Sequence, residues 1–94
     1  MRVYGFVIAL LAGFALTVPP ALAVNQTVTA NSTNTFSPAT VTITQGDQVT
    51  WTNSGGLHNV HFDDNSYIQP ASPSGSAWSV SRTFNNTGSF KYYC

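Results

Sequence analysis

The feature that most limits the fold of this chain is a two-residue period in its apolar positions after residue 23. In TVTIT, Val41 and Ile43 alternate with threonines, and in QVTWTN, Val49 and Trp51 do the same. This alternation predicts half-buried β-strands, because successive side chains of a strand point to opposite faces. Turn-forming segments such as QGD, NSGG and NNTG separate the runs, and QPASPSGS reads as one surface loop. The pattern predicts an antiparallel β-sandwich or barrel.

The first 23 residues have the composition of an export signal. Arg2 precedes an apolar run that ends at Val18, and Pro19-Pro20 and Ala21-Leu22-Ala23 follow. A membrane anchor is the alternative, but the run is shorter than the about 20 apolar residues of a bilayer span, and no positive charge follows it. We therefore predict a signal peptide over residues 1–23, a mature domain over 24–94, a secreted or periplasmic location, and no membrane contact after cleavage.

The mature domain is small and nearly uncharged. Cleavage after Ala23 leaves 94 − 23 = 71 residues, which contain a single cysteine and therefore no internal disulfide. Small secreted domains usually need disulfides or a metal, so a metal or a missing segment is expected here. The mature domain has two basic residues and three aspartates, so it has no basic patch. Neither nucleic acid nor an anionic lipid surface is therefore an expected partner.

We consider three residues, two histidines and the cysteine, as candidate metal ligands. His58 shares its strand face with the apolar positions of HNVHF, whereas His61 shares the opposite face with Asn59, which we expect to face solvent. Cys94 follows the inward positions of SFKYYC. A buried His or a free Cys alone is usually a packing residue. Together, an inward His and an inward Cys on separate strands are half of what a His₂Cys copper site requires.

Four motifs, in this order and at these spacings, resemble the cupredoxins, the small blue copper proteins of the plastocyanin and amicyanin kind. Each motif is weak alone, and the set is specific. The motifs are F-x-P-x-x-V-x-I (Phe36 to Ile43), G-D-x-V-x-W-x-N (Gly46 to Asn53), H-N-V-x-F-D (His58 to Asp63) and F-x-x-x-G-x-F-x-Y-Y-C (Phe84 to Cys94).

The resemblance implies a Greek-key β-sandwich around a type 1 copper ion. His58 would be its first imidazole ligand and Cys94 its thiolate ligand. Asn59 would form hydrogen bonds near the thiolate, and the Leu57 carbonyl would lie close to the metal. Tyr93 matches the residue through which plastocyanins are thought to exchange electrons.

The chain departs from the family pattern after the cysteine. In the family, a short loop with a second His and an axial Met follows, and then a last strand. Here nothing follows Cys94, His61 lies on the wrong face, and Met1 would leave with the signal peptide. We expect a fragment that lacks the last ligand loop and the final strand, with an incomplete copper site, no stable blue colour and an exposed strand edge.

The leading functional hypothesis is an exported one-electron carrier, a monomer and not an enzyme, that meets redox partner proteins weakly and transiently. One alternative is the N-terminal module of a copper oxidase or nitrite reductase. Another is a non-redox periplasmic copper-binding protein. The sequence downstream of Cys94 would discriminate between them.

Overall fold

The computed structural model describes residues 3–11 and 23–94, and all regular elements of that part are β-strands. They form a five-stranded sheet with the order β4-β1-β9-β6-β7 and a four-stranded sheet with the order β3-β2-β5-β8. The predicted all-β sandwich is confirmed. The strands are β1 Tyr4–Leu10, β2 Asn25–Ala30, β3 Phe36–Ser37, β4 Thr40–Thr44, β5 Gln48–Asn53, β6 His58–Phe62, β7 Ile68–Ser74, β8 Ser79–Thr83 and β9 Gly88–Tyr93.

The core consists of the apolar positions that the alternation selects. Val41 and Ile43 on β4 are buried, as are Val49 and Trp51 on β5, and the threonines of β4 that alternate with Val41 and Ile43 are exposed. The Trp51 indole packs edge-on against the Tyr92 ring at 5.4 Å between centroids. Such aromatic contacts add to the free energy of simple burial.

The strand directions differ from the prediction in two places. β1 pairs in parallel with β4, and β2 pairs in parallel with β5, while the other pairs are antiparallel. The prediction of an entirely antiparallel sandwich is therefore wrong. Alternation in a sequence reports which side chains are buried, and it carries no information about the direction of the neighbouring strand.

β1 is formed by residues of the predicted signal peptide. Val7 and Ala9 are fully buried, and the strand lies between β4 and β9. The exposed edge predicted for the sheet is therefore absent along β9, because β1 pairs with it. Residues 12–22, with the Pro19-Pro20 pair and most of the cleavage motif, lie outside the described residues, so the signal peptide stays a prediction. Within the described ranges, no helix is long and apolar enough to cross a membrane.

The predicted loop over residues 69–76 is also different. Most of it belongs to β7, which pairs with β6 with an irregularity between His58 and Val60. Pro70 and Pro73 are compatible with this strand because β7 is at the edge of its sheet, where a missing N–H is tolerated. The loop prediction was wrong because prolines and serines also occur in edge strands.

Candidate metal centre

His58 and Cys94 meet at one end of the five-stranded sheet. β6 begins at His58, β9 ends one residue before Cys94, and the two strands are antiparallel neighbours. The chain thus brings the start of one strand beside the end of the other. The Cys94 Sγ lies 3.6 Å from the His58 Nδ1, so the two atoms predicted to share an ion are in direct contact.

The imidazole of His58 is held in the orientation that a metal ligand needs. Its Nε2 lies 2.9 Å from the Asn31 carbonyl oxygen, which can only accept a hydrogen bond. Nε2 therefore carries the proton, and the lone pair of Nδ1 points toward the Cys94 sulfur. Gly56 leaves room for the ring, because a Cβ there would lie 2.9 Å from Nε2, and its φ of 88° also favours glycine.

The sulfur of Cys94 is placed among backbone polar groups. The Asn59 backbone N–H donates to Sγ at 3.4 Å, and the Leu57 carbonyl oxygen lies 3.7 Å from Sγ. Both residues named by the family resemblance thus contact the sulfur. The Asn59 side chain does not face solvent as predicted: it is buried, and its Nδ2 donates to the Pro70 carbonyl. The prediction was wrong because the pairing of β6 with β7 is irregular between His58 and Val60, so Asn59 does not follow the regular alternation.

The geometry of the pair fits a small metal ion. With bonds of about 2.3 Å to sulfur and about 2.0 Å to nitrogen, as for zinc, two ligand atoms of a tetrahedral site lie about 3.5 Å apart. The observed 3.6 Å matches this separation without rearrangement. No group of three or more His, Cys, Asp or Glu side chains in residues 3–11 and 23–94 could hold an ion, so the described residues supply two side-chain ligands.

A pocket of about 270 Å³ opens beside this pair. Among the described residues, no aspartate, glutamate, lysine or arginine lines it, so a bound cation there would be balanced mainly by the thiolate. Its lining residues are Val3, Asn34, Leu57, His58, Pro73 and Cys94.

His61 lies apart from this pair, as the strand alternation predicts. Its ring stacks on Tyr93 with 4.5 Å between ring centroids, and its Nε2 lies 2.6 Å from the Asn65 Oδ1. Both contacts are on the outer face of β6 and β9. Tyr93, the predicted electron-exchange residue, is half-buried next to Cys94 and points to the other side of the strand.

Sequence reasoning missed the role of Asn53. Its Nδ2 lies within 2.9–3.1 Å of the carbonyls of Gly56, Ser74 and Ser76, and its Oδ1 accepts from the Gly55 N–H. This buried amide therefore joins the turn before His58 to the end of β7. The sequence contains a signal for this role: Asn53 continues the inward face of Val49 and Trp51, and a buried polar side chain needs hydrogen-bond partners.

The comparisons with known proteins agree with this geometry. Residues 22–94 match the family model described as copper binding proteins of the plastocyanin/azurin family. The chain is 38% identical over 96 residues to a chloroplastic plastocyanin from Tetradesmus obliquus, a match that covers 88% of this chain and 64% of that protein. No solved structure gives a significant match. The chain therefore belongs to the plastocyanin/azurin family of copper-binding proteins.

Proposed function

We propose that this protein is a copper-binding electron carrier of the blue copper type, exported from the cytoplasm. The observation that carries the proposal is the contact between the Cys94 sulfur and the His58 Nδ1, in a pocket that contains no other charged group among the described residues. Copper supplies one-electron chemistry when it is bound, because it is stable in two oxidation states in sites of this type. The relative from Tetradesmus obliquus is named a plastocyanin, which supports the same function here.

The residues around the pair would control binding and potential. His58 would donate through Nδ1, and the Asn31 carbonyl would hold its ring in place. Cys94 would bind as a thiolate. The Asn59 N–H would withdraw electron density from the sulfur, and hydrogen bonds to a ligating sulfur adjust the reduction potential.

Two side-chain ligands are fewer than the His₂Cys set with an axial ligand that a blue site uses. Residues 3–11 and 23–94 would therefore supply two of the four ligands of the proposed copper site. We expect these residues by themselves to bind copper without forming a stable blue site. The chain spans 64% of the length of its plastocyanin relative.

Docking to redox partners would use the surface beside this pair. Leu57 is 66% exposed and adjoins His58, which places an apolar side chain at the rim of the pocket. A small apolar contact of this kind favours weak and short-lived complexes, which suit a carrier that must release its partner. We propose that such proteins meet the carrier at Leu57.

Copper binding is tested by titrating the protein with Cu(I) in competition with a chromophoric chelator. We expect Cys94→Ser and His58→Gln each to weaken binding by about tenfold or more, the scale on which loss of groups at a metal site acts. His61→Gln is the matched control, because it makes the same change on the opposite face of β6, and it should leave the affinity unchanged. Equal affinities in all variants, or an equal loss in His61→Gln, would remove this pair from the site.

Export is tested separately from copper binding. Residues 1–23 fused to a reporter enzyme should direct it out of the cytoplasm, and the mature protein should begin at Val24 by N-terminal sequencing. A reporter that stays in the cytoplasm would contradict export, and a secreted protein that retains Tyr4 would contradict cleavage after Ala23. Either result would leave the copper proposal intact.

A further inference from the structure

A buried carboxylate binds the backbone just before β2. Asp47 is 9% exposed, and it follows Gly46 in the turn between β4 and β5. Its Oδ1 accepts a hydrogen bond from the Val24 N–H at 2.9 Å, and its Oδ2 accepts one from the Thr44 N–H at 3.0 Å. Buried carboxylates are usually paired with a cation, whereas both of these donors are uncharged backbone amides.

The turn holds this carboxylate in a fixed position. The Asp47 N–H donates to the Thr44 carbonyl at 2.9 Å, and the Asp47 carbonyl accepts from the Phe84 N–H at 2.9 Å. The Gly46 N–H donates to the Phe84 carbonyl at 2.7 Å, and Phe84 is buried in the core. The side chain of Asp47 therefore extends from a turn whose backbone is held on both sides.

Val24 is held by the same turn through its second polar group. Its carbonyl accepts a hydrogen bond from the Gln48 N–H at 2.9 Å, next to the parallel ladder of β2 and β5. Asp47 and Gln48 thus bind the nitrogen and the oxygen of one residue. Ala23, immediately before it, is exposed. The backbone nitrogen of Val24 is therefore the point at which the start of β2 is anchored to the turn.

The predicted cleavage site lies at the same nitrogen. The export signal ends in Ala21-Leu22-Ala23, so the chain would be cut between Ala23 and Val24. Hydrolysis of that peptide bond consumes one water, leaves a carboxylate on Ala23 and gives Val24 a free α-amino group, which is protonated at neutral pH. The donor 2.9 Å from Asp47 then becomes a cation, at a distance that suits a charge-assisted hydrogen bond. The signal pattern and the hydrogen bond are independent observations that point to one atom.

We propose that Asp47 is the binding site for the α-ammonium group of Val24 that forms when the leader is removed. The proposal rests on the export and cleavage proposed above. The processed chain gains an ion pair that its precursor does not have, and this pair joins the start of β2 to the turn between β4 and β5. Both residues and their hydrogen-bond partners belong to residues 24–94, so the contact does not depend on β1.

The test uses the protein purified after export from its native host, with its N-terminus confirmed by sequencing. Insertion of one glycine between Ala23 and Val24 moves the new amino group away from Asp47 and leaves an uncharged amide at Val24. We expect this insertion to lower the melting temperature by about 5 °C, the scale of one strong interaction in a domain of this size.

Two backgrounds show whether that loss comes from the carboxylate. In Asp47→Asn the glycine insertion should have little further effect, because the charge that it separates from the amine is already absent. Asp63→Asn is the matched control, because it removes the same charge at an exposed position, and there the insertion should keep its full effect.

A second measurement needs no substitution of Asp47, which also binds the Thr44 N–H. At neutral pH an acylating reagent reacts only with the unprotonated fraction of an amine. The ion-paired amine of the parent should react about tenfold more slowly than that of the glycine insertion, since an adjacent carboxylate favours the charged form. Each rate is divided by the rate of the same protein in denaturant, which removes the intrinsic difference between the two N-terminal residues.

Three results would overturn this proposal alone. A parent that starts at Val24 could melt at the same temperature as the glycine insertion, or its amine could react as fast. The insertion could also cost as much in Asp47→Asn as in the parent. A mature N-terminus at another residue would instead contradict cleavage after Ala23, and this proposal with it. None of these readouts needs copper, so the copper proposal is tested independently.

Discussion

The two strands that pair with β9 differ in how many residues they pair with it and in what they position. On one side, β1 pairs with it at six positions, and on the other, β6 pairs with it at only two, His61 with Tyr93 and Phe62 with Tyr92. The proposed metal ligands, His58 and Cys94, lie on the side with the shorter ladder. Cys94 therefore depends for its position on the longer ladder, on the side away from His58.

Side-chain packing compensates for the short ladder between β6 and β9. The Tyr92 ring contacts Phe62 at 5.2 Å and Phe36 at 4.8 Å between centroids, and it also touches Trp51. On the β1 side the same ring lies over Gly5. Backbone pairing secures one side of β9 and aromatic packing secures the other, and Tyr92 takes part in both.

In the uncleaved chain of 94 residues, Val7→Asp should have the largest effect, because it disrupts the long ladder between β1 and β9. A carboxylate at this fully buried position has no partner, and the change should lower the free energy of unfolding by about 4 kcal/mol or more. Leu10→Asp makes the same kind of change in the same strand at a residue that is 51% exposed, and it should cost far less. Guanidinium unfolding followed by tryptophan fluorescence measures both, and equal stabilities would show that β1 contributes nothing to the core.

Asn53→Ala should come next, because it releases the turn that carries His58. The Gly56 carbonyl loses the Asn53 donor and the Gly55 N–H loses its acceptor, which should cost about 2–3 kcal/mol. The Ser74 and Ser76 carbonyls keep hydrogen bonds from the Trp78 side chain and backbone N–H. Copper affinity should also fall, since the His58 ring packs on Gly56. Asn86→Ala, at an exposed position, is the matched control. A loss of stability with unchanged copper affinity would separate the turn from the site.

The pH dependence of the stability of Tyr92→Phe tests how deeply the Tyr92 hydroxyl is buried beside β9. Burial raises the pKa of Tyr92 from 10.0 to about 12, and the nearby Trp51 indole offsets part of this. Between about pH 10 and pH 12, the Tyr92 hydroxyl keeps its proton in the folded state and loses it in the unfolded state. The resulting stability is therefore present below about pH 10 and disappears as the pH rises to about 12, a change on the order of 2 kcal/mol.

The variant should show a flatter stability profile over this range. At neutral pH it should be as stable as the parent, because the Tyr92 hydroxyl forms no hydrogen bond with the described residues. Denaturant unfolding at several pH values gives both quantities. Parallel profiles for the parent and the variant would assign the alkaline transition to other groups.

The sequence predicted where the candidate ligand side chains lie better than it predicted the surrounding strands. Alternation predicts the faces on which His58, His61 and Cys94 lie, because it depends only on the strand that contains or adjoins each residue. β1 and β7 were missed because an unbroken apolar run and a proline-rich segment are each compatible with several structures. Asn59 was wrongly expected to face solvent, because its burial comes with the irregular pairing of β6 and β7 and with its hydrogen bond to Pro70, which alternation does not report.

His61→Ala should have the smallest effect and tests the alternation itself. It removes a stack on Tyr93 and a hydrogen bond to Asn65 at the surface, which should cost about 1 kcal/mol. Ser89→Ala on the exposed part of β9 is the control for a surface change in the same sheet. Copper affinity should not change, because His61 and His58 point to opposite faces of β6. If affinity fell with His61→Ala, the imidazole at position 61 would have to reach the metal, and the assignment of His58 and His61 to opposite faces of β6 would be wrong.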